Sequence, residues 1–491
     1  MMPEQDQPME TAIGLEIHIQ LSTREKLFCS DPVDFGAEPN SQVCPVCLGL
    51  PGALPVVNRE AVALAVRACL AFGCTVHPVS VFARKNYFYP DLPKGYQISQ
   101  FERPLATGGG VRVRMDEEGT EVPIRIRRIH LEEDAGKSIH DRFPGATAVD
   151  LNRTGTPLVE MVSEPDFRSP AQVRIYLDQV KRTLEYLGVS DCNMEEGSLR
   201  VDANVSIRPR GTLELGTKTE LKNMNSFSGV EKALRVEIDR QRSLVARGEA
   251  VEHQTLLWDE RKAEVRPMRS KEESHDYRYF PDPDLPPLKL TSAFIERARE
   301  TLPELPEARR TRFIEGYDLP PYDAGVLTSD RELADYFEGV AERAGSAKVA
   351  SNWVMGPVLA AMKEADGGAG SFPVSPGALA ELIGLVEEGV VNRRGAHTVL
   401  DRMVQTGRGK EGHPSQIVQE EGLAQVSDSS QLEGWVLETL AAHPEEVRRF
   451  RDGESRLRGF FMGEVMKRSR GKADPGEVAR ILSAHLQGEK E

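Results

Sequence analysis

The stretch Ile13 to Gln20, IGLEIHIQ, restricts the fold more than any other part of the chain. Apolar and polar or small residues alternate along it, which is the period of a half-buried β-strand. Its polar face carries Glu16 and His18 two residues apart, so both side chains project from one side of the strand. A carboxylate beside an imidazole suits a hard-metal or acid–base site. The same pattern also suits a strand whose polar face is only hydrated.

Length and charge limit the class of protein. A chain of 491 residues exceeds what one hydrophobic core holds, so we expect two or three domains. It has neither an apolar window of about 18 residues, as a membrane helix needs, nor a signal peptide, so we expect a cytoplasmic protein without membrane contact. Six cysteines are too few for a disulfide framework in so long a chain. The net charge of −15 argues against nucleic-acid binding by the whole chain but allows a local basic patch.

A loop rich in Pro and Gly after the first strand holds three cysteines. Cys44 and Cys47 form a CxxC, and Cys29 lies upstream, an arrangement typical of a tetrahedral thiolate site for zinc. The alternative is that three buried thiols pack as small apolar groups. The fourth ligand stays open between an empty position and two residues, Cys74 and Asp31.

An aromatic segment, Phe82 to Phe101, interleaves Tyr and Phe with Lys85 and Asn86. Aromatic rings next to cationic and amide groups can hold a nucleotide base by stacking and its phosphates by charge. Aromatic residues of this kind also form ordinary core or interface, so the segment alone leaves both interpretations open.

Two further strands carry carboxylates. HLEEDAGK, 130–137, ends a predicted hairpin with adjacent acids, and Glu160 lies within the apolar strand PLVEMV. A carboxylate inside an apolar strand needs a partner, and a cation is a natural one. The strands with Glu16 and His18, with Glu133 and with Glu160 therefore predict a Mg²⁺ site of oxygen ligands and one imidazole.

Helical patterns dominate the second half of the chain, whereas the first half mixes helices with mainly antiparallel strands. No strand pattern follows Leu290, and residues 411–434 read as a polar linker. Residues 447–473 contain nine Lys or Arg against three Asp or Glu, and such a basic helix suits contact with a phosphate backbone or is simply a hydrated terminal helix. Helices are predicted at 58–72, 170–187, 227–246, 331–343, 347–363, 375–388 and 392–404.

Long motifs resemble one family in content and order. They cover nearly the whole chain and are similar to the B subunit of the glutamyl/aspartyl-tRNA amidotransferase, the GatB family. The resemblance implies an α+β fold, with a cradle-shaped, mainly antiparallel domain over 1–293, a helical domain over 294–405 and a small helical tail over 406–491. The motifs include GLEIHIQL, CPVCLGLPGALPV, RKNYFYPDLPKGYQISQ, HLEEDAGKS, DLNRTGTPLVEMVSEPD, MEEGSLRVDANVS, ELKNMNSF, DYRYFPDPDLPPL and FFMGEVMKRSRGKADP.

The resemblance also implies a chemistry and its residues. ATP phosphorylates the side-chain carboxylate of Glu or Asp already esterified to tRNA, and ammonia then displaces phosphate to leave an amide. By motif position, the catalytic residues and Mg²⁺ ligands are Glu16, His18, Glu133 and Glu160, with Glu132 as the neighbour that could replace Glu133. The nucleotide-binding residues are Lys85, Asn86, Asp202 and Asn204. The tail residues that contact tRNA are Arg456, Arg458, Lys467, Arg468 and Lys472.

The chain departs from the family pattern at Asp31. Members that bind zinc carry a second cysteine there, so a structural zinc held by Cys29, Cys44 and Cys47 stays open. The sequence contains no serine-rich amidase signature. The implied partners are therefore an amidase (A) subunit that supplies ammonia, a small C subunit, a mischarged tRNA and a non-discriminating aminoacyl-tRNA synthetase.

Two other functions compete with the enzymatic one. A non-catalytic tRNA-docking module would use the basic tail and leave the acidic strands as surface. A metal-dependent hydrolase would use Glu16 and Glu160 as paired carboxylates, although nothing in the chain indicates a sugar site.

Overall fold

The computed structural model describes residues 8–115, 120–268, 277–365, 367–407, 413–426, 428–469 and 471–487. The chain forms two compact units, one up to Pro306 and one from Glu307. Strands and helices mix in the first unit, and helices make up the second, which confirms the predicted α+β class. No helix within the described ranges is both long and apolar enough to cross a membrane.

The first unit is organised around a large sheet. The strands among the described residues are β1 (Met9–Gln20), β2 (Thr75–Val76), β3 (Val79–Ser80), β4 (Phe82–Asn86), β5 (Tyr96–Gln100), β6 (Ala106–Thr107), β7 (Gly110–Arg114), β8 (Glu121–Glu133), β9 (Lys137–Phe143), β10 (Ala146–Asp150), β11 (Pro157–Ser163), β12 (Leu199–Pro209), β13 (Thr219–Lys222), β14 (Gln254–Asp259), β15 (Glu264–Pro267), β16 (Phe280–Pro281) and β17 (Leu288–Lys289).

Strand β1 occupies the middle of that sheet. The strand order is β15-β14-β13-β12-β1-β11-β8-β6-β2, and β7 pairs with β8. Within this sheet, β13 and β14 are parallel, and the other neighbouring pairs are antiparallel. A smaller sheet of order β16-β4-β5 lies against the end of β8, where Gln97 donates to the Glu133 carbonyl at 2.7 Å.

The alternation of β1 separates core from open face. Ile13, Leu15, Ile17 and Ile19 are each at most 1% exposed and belong to the core that the helices of this unit share. The residues between them face the opposite side of the sheet. Helices therefore cover one face, and the polar residues of β1 line the other.

Helices of the first unit begin and end where the sequence marks them. They are α1 (Pro45–Leu48), α2 (Arg59–Ala71), α3 (Pro170–Tyr186), α4 (Phe227–Ala246) and α5 (Ser292–Glu300). Asn58, Ser169 and Ser226 cap α2, α3 and α4 by accepting from first-turn amides. Gly73 and Gly188 follow α2 and α3 with φ of 67° and 63°. The three predicted helices of this unit are thus confirmed.

The second unit is helical and has two hydrophobic cores. One core runs from Phe313 to Val418 and the other from Leu432 to Leu486. The prediction of three domains at 1–293, 294–405 and 406–491 stays a prediction. The helices are α6 (Pro306–Tyr317), α7 (Pro321–Leu327), α8 (Arg331–Ala344), α9 (Ala347–Trp353), α10 (Leu359–Glu364), α11 (Pro376–Glu387), α12 (Arg393–Thr406), α13 (Pro414–Glu420), α14 (Ser429–Ala442), α15 (Pro444–Arg451), α16 (Leu457–Arg468) and α17 (Pro475–Gln487).

Two details differ from the predicted helices. The helix expected at 347–363 contains a π-helical stretch, Val354–Val358, because Pro357 lacks the amide that a regular α-helix needs. The prediction that residues 411–434 form a linker is wrong in part. Helix α13 lies within it and buries Ile417 and Val418 in the first core of the second unit. Residues 411 and 412 lie outside the described ranges.

Candidate active site

A row of three side chains crosses the open face of the large sheet. The antiparallel register places His18 of β1 opposite Glu160 of β11, and Glu160 opposite His130 of β8. Glu132 lies two residues further along β8 and so faces the same side. Strand alternation and register alone therefore bring two imidazoles and two carboxylates together.

Each imidazole faces both carboxylates. Nε2 of His18 lies 3.4 Å from Oε2 of Glu160 and 3.6 Å from Oε1 of Glu132. Nε2 of His130 lies 3.5 Å from Oε2 of Glu160 and 3.6 Å from Oε2 of Glu132. Both carboxylates and His130 are buried, with at most 8% of their surface exposed. Buried charges are costly unless paired, so these four side chains stabilise one another.

The pairing shifts the pKa of each group. Burial alone would lower the pKa of His130, but Glu160 and Glu132 raise it to about 9. Burial would raise the pKa of Glu160, but His130 and His18 hold it well below its usual range. Opposing contributions from burial and from these partners likewise raise the pKa of His18 and lower that of Glu132. Both carboxylates are consequently held as anions.

Three of these side chains form a compact donor group for a cation. His18, Glu132 and Glu160 each offer one ligand atom, and these three atoms lie within 4.8 Å of one another. Opposite ligands of an octahedral Mg²⁺ with bonds of 2.0–2.1 Å lie about 4.2 Å apart. Two carboxylates and an imidazole therefore fit a divalent cation in number, type and spacing. His130 stands beside the group, and its Nδ1 is buried without a hydrogen-bond partner among the described residues.

Glu133 does not join this donor group, and its predicted role as a metal ligand stays a prediction. It shares the strand face of Ile129 and Leu131, which are fully buried in the core, because side chains alternate along β8. Its Oε1 accepts from the Lys94 ammonium and, at 2.8 Å, from the amide of Ile98. Glu132, the neighbour named as its possible replacement, takes its place in the geometry.

Glu16 lies next to the donor group. It lies two residues before His18 on β1 and so faces the same side of the sheet. Its Oε1 accepts a hydrogen bond from Asn204 Nδ2 at 3.2 Å. Burial first, and then the neighbouring charge of Glu160, raises its pKa. The structure thus brings Glu16 and Asn204 to the site, with Glu16 more basic than the two carboxylates that face the imidazoles.

A cavity of about 240 Å³ opens over these residues, with Glu16, Glu132 and Glu160 in its wall. Three cationic side chains, Lys85, Arg127 and Arg128, also line it. Arg127 pairs with Glu164 at 2.8 Å, whereas Lys85 and Arg128 form no ion pair within 4.0 Å with any residue that the structure describes. Cations that share a cavity with a carboxylate donor group suit an anionic ligand that brings its own divalent metal.

Lys85 stands over aromatic rings in this wall. Its Nζ lies 4.8 Å from the ring centroid of Tyr277 and 5.9 Å from that of Tyr87. Burial would lower its pKa, but the charge of Glu132 raises it, so the ammonium stays charged. Lys85 therefore lies in the cavity wall as a cation, and its predicted contact with a nucleotide stays a prediction.

Asn86 and Asp202 have other neighbours. The Asn86 amide donates to the carbonyl oxygens of Tyr277 and Arg278 at 3.2 and 2.9 Å, so it fixes the backbone that carries the aromatic wall. Asp202 pairs with Lys222 at 3.0 Å and lines a second, larger cavity. Neither side chain lines the smaller cavity, and their predicted contact with a nucleotide stays a prediction.

The larger cavity measures about 880 Å³ and adjoins the same row. Gln20, Arg153 and Arg200 in its wall converge on the buried carboxylate of Asp134, with distances of 3.0, 3.5 and 2.9 Å. Arg200 stands opposite His18 in the β1–β12 register. The two cavities therefore open on the same face of the sheet, on neighbouring strands.

The predicted zinc ligands also come together. Cys29, Asp31, Cys44 and Cys47 offer ligand atoms within 4.8 Å of one another. Sγ of Cys47 lies 3.7 and 3.9 Å from those of Cys29 and Cys44, close to the about 3.8 Å that separates thiolates around a tetrahedral zinc with 2.3 Å bonds. Asp31, not Cys74, supplies the fourth donor of the cluster. The donors fit a soft divalent metal, and zinc itself stays a prediction.

The basic tail residues are spread over the surface of the second unit. Arg458 and Lys467 are nine positions apart on α16, about half a turn out of phase at 3.6 residues per turn. Arg468 pairs with Glu438 at 3.0 Å. The predicted tRNA contacts of Arg456 and Lys472, like those of the other three, are not tested by this arrangement.

Three residues of the site were missed from the sequence. His130 opens the HLEED motif, and its position two residues before Glu132 on one strand face was the available signal. Arg128 lies two residues before His130 on β8 and faces the same side of the sheet. Tyr279 reaches the cavity from a distant segment, and no local pattern indicates that.

Comparison with known proteins agrees with this geometry. A family profile described as the GatB/GatE catalytic domain matches residues 11–296, and one described as the GatB domain matches residues 335–486. The chain belongs to the GatB family. The catalytic-domain match includes the donor group, both cavities and the thiol cluster, and the GatB-domain match includes α16, so the family resemblance seen in the motifs is confirmed.

Relatives from distant bacteria match nearly end to end, and three of them are named as the B subunit of an aspartyl/glutamyl-tRNA(Asn/Gln) amidotransferase. The chain is 52% identical to the protein of Moorella thermoacetica over 97% of this chain and 99% of the relative. It is 52% identical to that of Prosthecochloris aestuarii over 97% and 98%, and 51% identical to that of Alkalilimnicola ehrlichii over 97% and 99%.

Proposed function

We propose that this GatB-family chain is the component of a tRNA-dependent amidotransferase that activates and amidates the substrate carboxylate. The substrate is Glu esterified to tRNA(Gln), Asp esterified to tRNA(Asn), or both. One observation carries the proposal: His18, Glu132 and Glu160 form a compact donor group, and its two carboxylates line a cavity together with Lys85 and Arg128. That combination suits phosphoryl transfer from a metal-bound nucleotide.

ATP supplies the phosphoryl group. The carboxylate oxygen of the substrate attacks the γ-phosphorus, the bond to the bridging oxygen breaks, and ADP leaves. Lys85 and Arg128 would hold phosphate oxygens, since both side chains line the cavity and neither lies within ion-pair distance of a carboxylate in the part of the chain that the structure describes. His18, Glu132 and Glu160 would hold Mg²⁺, which when bound neutralises phosphate charge.

Amidation follows at the acyl phosphate. Ammonia attacks the carbonyl carbon, the bond from carbon to the phosphate oxygen breaks, and inorganic phosphate leaves. The attacking nitrogen must lose a proton, and Glu16 is placed to accept it, because it lines the cavity outside the donor group. Asn204 orients that carboxylate through its 3.2 Å hydrogen bond.

The larger cavity suits the esterified end of the tRNA. Its volume of about 880 Å³ lies within the range of about 300–1,000 Å³ that small-molecule sites occupy. Arg153 and Arg200 in its wall would meet a polar, anionic substrate. Because Arg200 neighbours His18 in register, a side-chain carboxylate held there lies next to the donor row.

Ammonia would come from a partner. The relatives are named as B subunits, and the chain carries no serine-rich amidase motif. We therefore infer an assembly with a glutamine-hydrolysing A subunit and a small C subunit. A channel between subunits would protect ammonia, which in free solution is mostly protonated at neutral pH.

The test is nucleotide turnover in the assembled complex. Glu-tRNA(Gln), Asp-tRNA(Asn) and uncharged tRNA are each incubated with the complex, Mg²⁺ and labelled ATP under single-turnover conditions. When ammonia and glutamine are withheld, no amide can form, but charged tRNA should still stimulate ADP formation. Equal ADP formation with charged and uncharged tRNA would contradict carboxylate activation.

A further inference from the structure

Two stacked rings stand at the rim of the smaller cavity. The planes of Phe101 and Tyr279 lie 4° from parallel, with ring centroids 4.2 Å apart. Tyr279 lines the cavity, as does Gln100, the residue before Phe101. Phe101 itself is 44% exposed. Tyr279 thus covers one face of the Phe101 ring, and much of that side chain stays open to solvent.

The stack continues as a ladder of rings with a cation near each end. Tyr277 meets Tyr279 edge-on at 6.1 Å, and Tyr87 meets Tyr277 at 6.0 Å. Lys85 stands over the inner end, 4.8 Å from the centroid of Tyr277. The guanidinium of Arg128 lies 5.9 Å from the centroid of Phe101, at the outer end.

Arg128 supplies the second observation that points to a ligand. It lines the cavity, forms no ion pair with the residues that the structure describes, and its buried Nε has no hydrogen-bond partner among them. A cation beside an open aromatic face favours a flat, electron-rich ring over an aliphatic group. The cation and the ring together form the wall that single-nucleotide and single-strand sites use.

The size of the cavity decides where the ring of such a ligand lies. At about 240 Å³ it falls below the range of about 300–1,000 Å³ typical of sites that enclose a whole small molecule. It has room for phosphates next to the donor group. The base of the same ligand must then lie at the rim, where Phe101 is.

We propose that the solvent-exposed part of the Phe101 ring stacks with an adenine ring next to the Arg128 guanidinium, which lies over the same phenylalanine. The inference rests on the proposed function, in which adenine has two sources: ATP and the terminal adenosine of tRNA. Both sources present the same ring. Removing the stack weakens binding of ATP if the adenine belongs to ATP, and binding of tRNA if it belongs to the terminal adenosine.

The experiment compares three variants in the assembled complex. Phe101→Leu removes the aromatic face and keeps an apolar side chain. Phe101→Trp restores a larger aromatic face. Phe143→Leu is the matched control, since Phe143 is also an exposed phenylalanine, at 51%, and lies on the β9–β10 hairpin. Thermal midpoints check that each variant is folded, and KM for ATP and for charged tRNA are measured separately with ammonia as nitrogen donor.

Loss of one base stack weakens binding by about tenfold. A rise of KM for ATP in Phe101→Leu, reversed in Phe101→Trp, supports the proposal with ATP as the source. The same pattern in KM for tRNA supports it with the terminal adenosine as the source. Unchanged KM values for both substrates, or a rise that Trp does not reverse, overturns the proposal.

Failure of the proposed function has a different signature. In that case the wild-type complex itself shows no ADP formation stimulated by charged tRNA. A complex that activates charged tRNA normally while Phe101→Leu keeps both KM values would refute the stacking site alone.

Discussion

Two adjacent acids, Glu132 and Glu133, should respond to the same substitution in opposite ways. Glu132 belongs to the donor group with His18 and Glu160, whereas Glu133 pairs with Lys94 on the other face of β8. Changing each to Gln keeps the shape of the side chain and removes its charge. We expect Glu132→Gln to abolish catalysis in a folded protein and Glu133→Gln to destabilise a protein that still reacts.

The magnitudes follow from burial. The side chains of Lys94 and Glu133 are 5% and 2% exposed, and leaving one member of a buried pair alone costs about 3–5 kcal/mol in the free energy of unfolding. At roughly 2 °C per kcal/mol for a unit of this size, the thermal midpoint falls by about 6–10 °C. Changing a residue that only supports a metal ligand lowers metal affinity or activity by about 10–100-fold. Loss of a ligand such as Glu132 should therefore lower the amidation rate by more than about 100-fold.

Glu132→Gln should change stability less than Glu133→Gln does. His18 and His130 can each lose a proton when one carboxylate disappears, whereas a buried lysine gives up its proton with more difficulty. The assay is amidation of Glu-tRNA by the assembled complex across a Mg²⁺ titration, with thermal midpoints measured in parallel. An inactive but stable Glu133→Gln beside an active Glu132→Gln would refute the assignment of strand faces.

Three further predictions follow from the same contacts. Cys44→Ser should lower both the zinc content and the thermal midpoint, whereas Cys69→Ser, in the core of the first unit, should leave the zinc content unchanged; equal zinc in both variants would contradict a thiol site. His130→Asn should raise the Mg²⁺ concentration needed for half-maximal amidation by about 10–100-fold, because His130 holds both carboxylates in place, and an unaltered Mg²⁺ titration would count against it. Arg456→Ala and Lys467→Ala should each reduce the slope of log affinity for tRNA against log salt by about 1 without changing kcat at saturating tRNA, so an unchanged slope would exclude phosphate contact there.

Helices with a capping residue at the start and a glycine after the end were predictable from the sequence. Asn58 caps α2 and Gly73 follows it with φ of 67°, and the helix lies within the predicted residues 58–72. The alternation of IGLEIHIQ likewise predicted which side chains of β1 face the core. Local patterns carry this information because caps and side-chain alternation are set within a few residues.

The rest of the site depends on relations that no local pattern holds. Register across β1, β11 and β8 brings His18, Glu160 and His130 into one row, and register is set by the paired strands together. The alternation of Ile129 and Leu131 could have shown that Glu132 and Glu133 face opposite sides of β8. A register shift in the pairing of β8 with β11, near Val162, interrupts the alternation earlier in β8. A truncation before residue 406, the start of the tail expected from the sequence, would remove α13 from the core in which it packs.

The central position of β1 has a consequence for biosynthesis. It is synthesised before the other described strands of this sheet, but its neighbours are β11 and β12, and β12 ends at Pro209. About 190 residues separate the end of β1 from that point, so at about 5–20 residues per second the strand waits about 10–40 s for its second partner. Until then an isoleucine-rich strand has at least one unpaired edge, which invites pairing with other chains. We therefore expect a chaperone, or a transient partner within the nascent chain, to cover the strand that later carries the candidate active site.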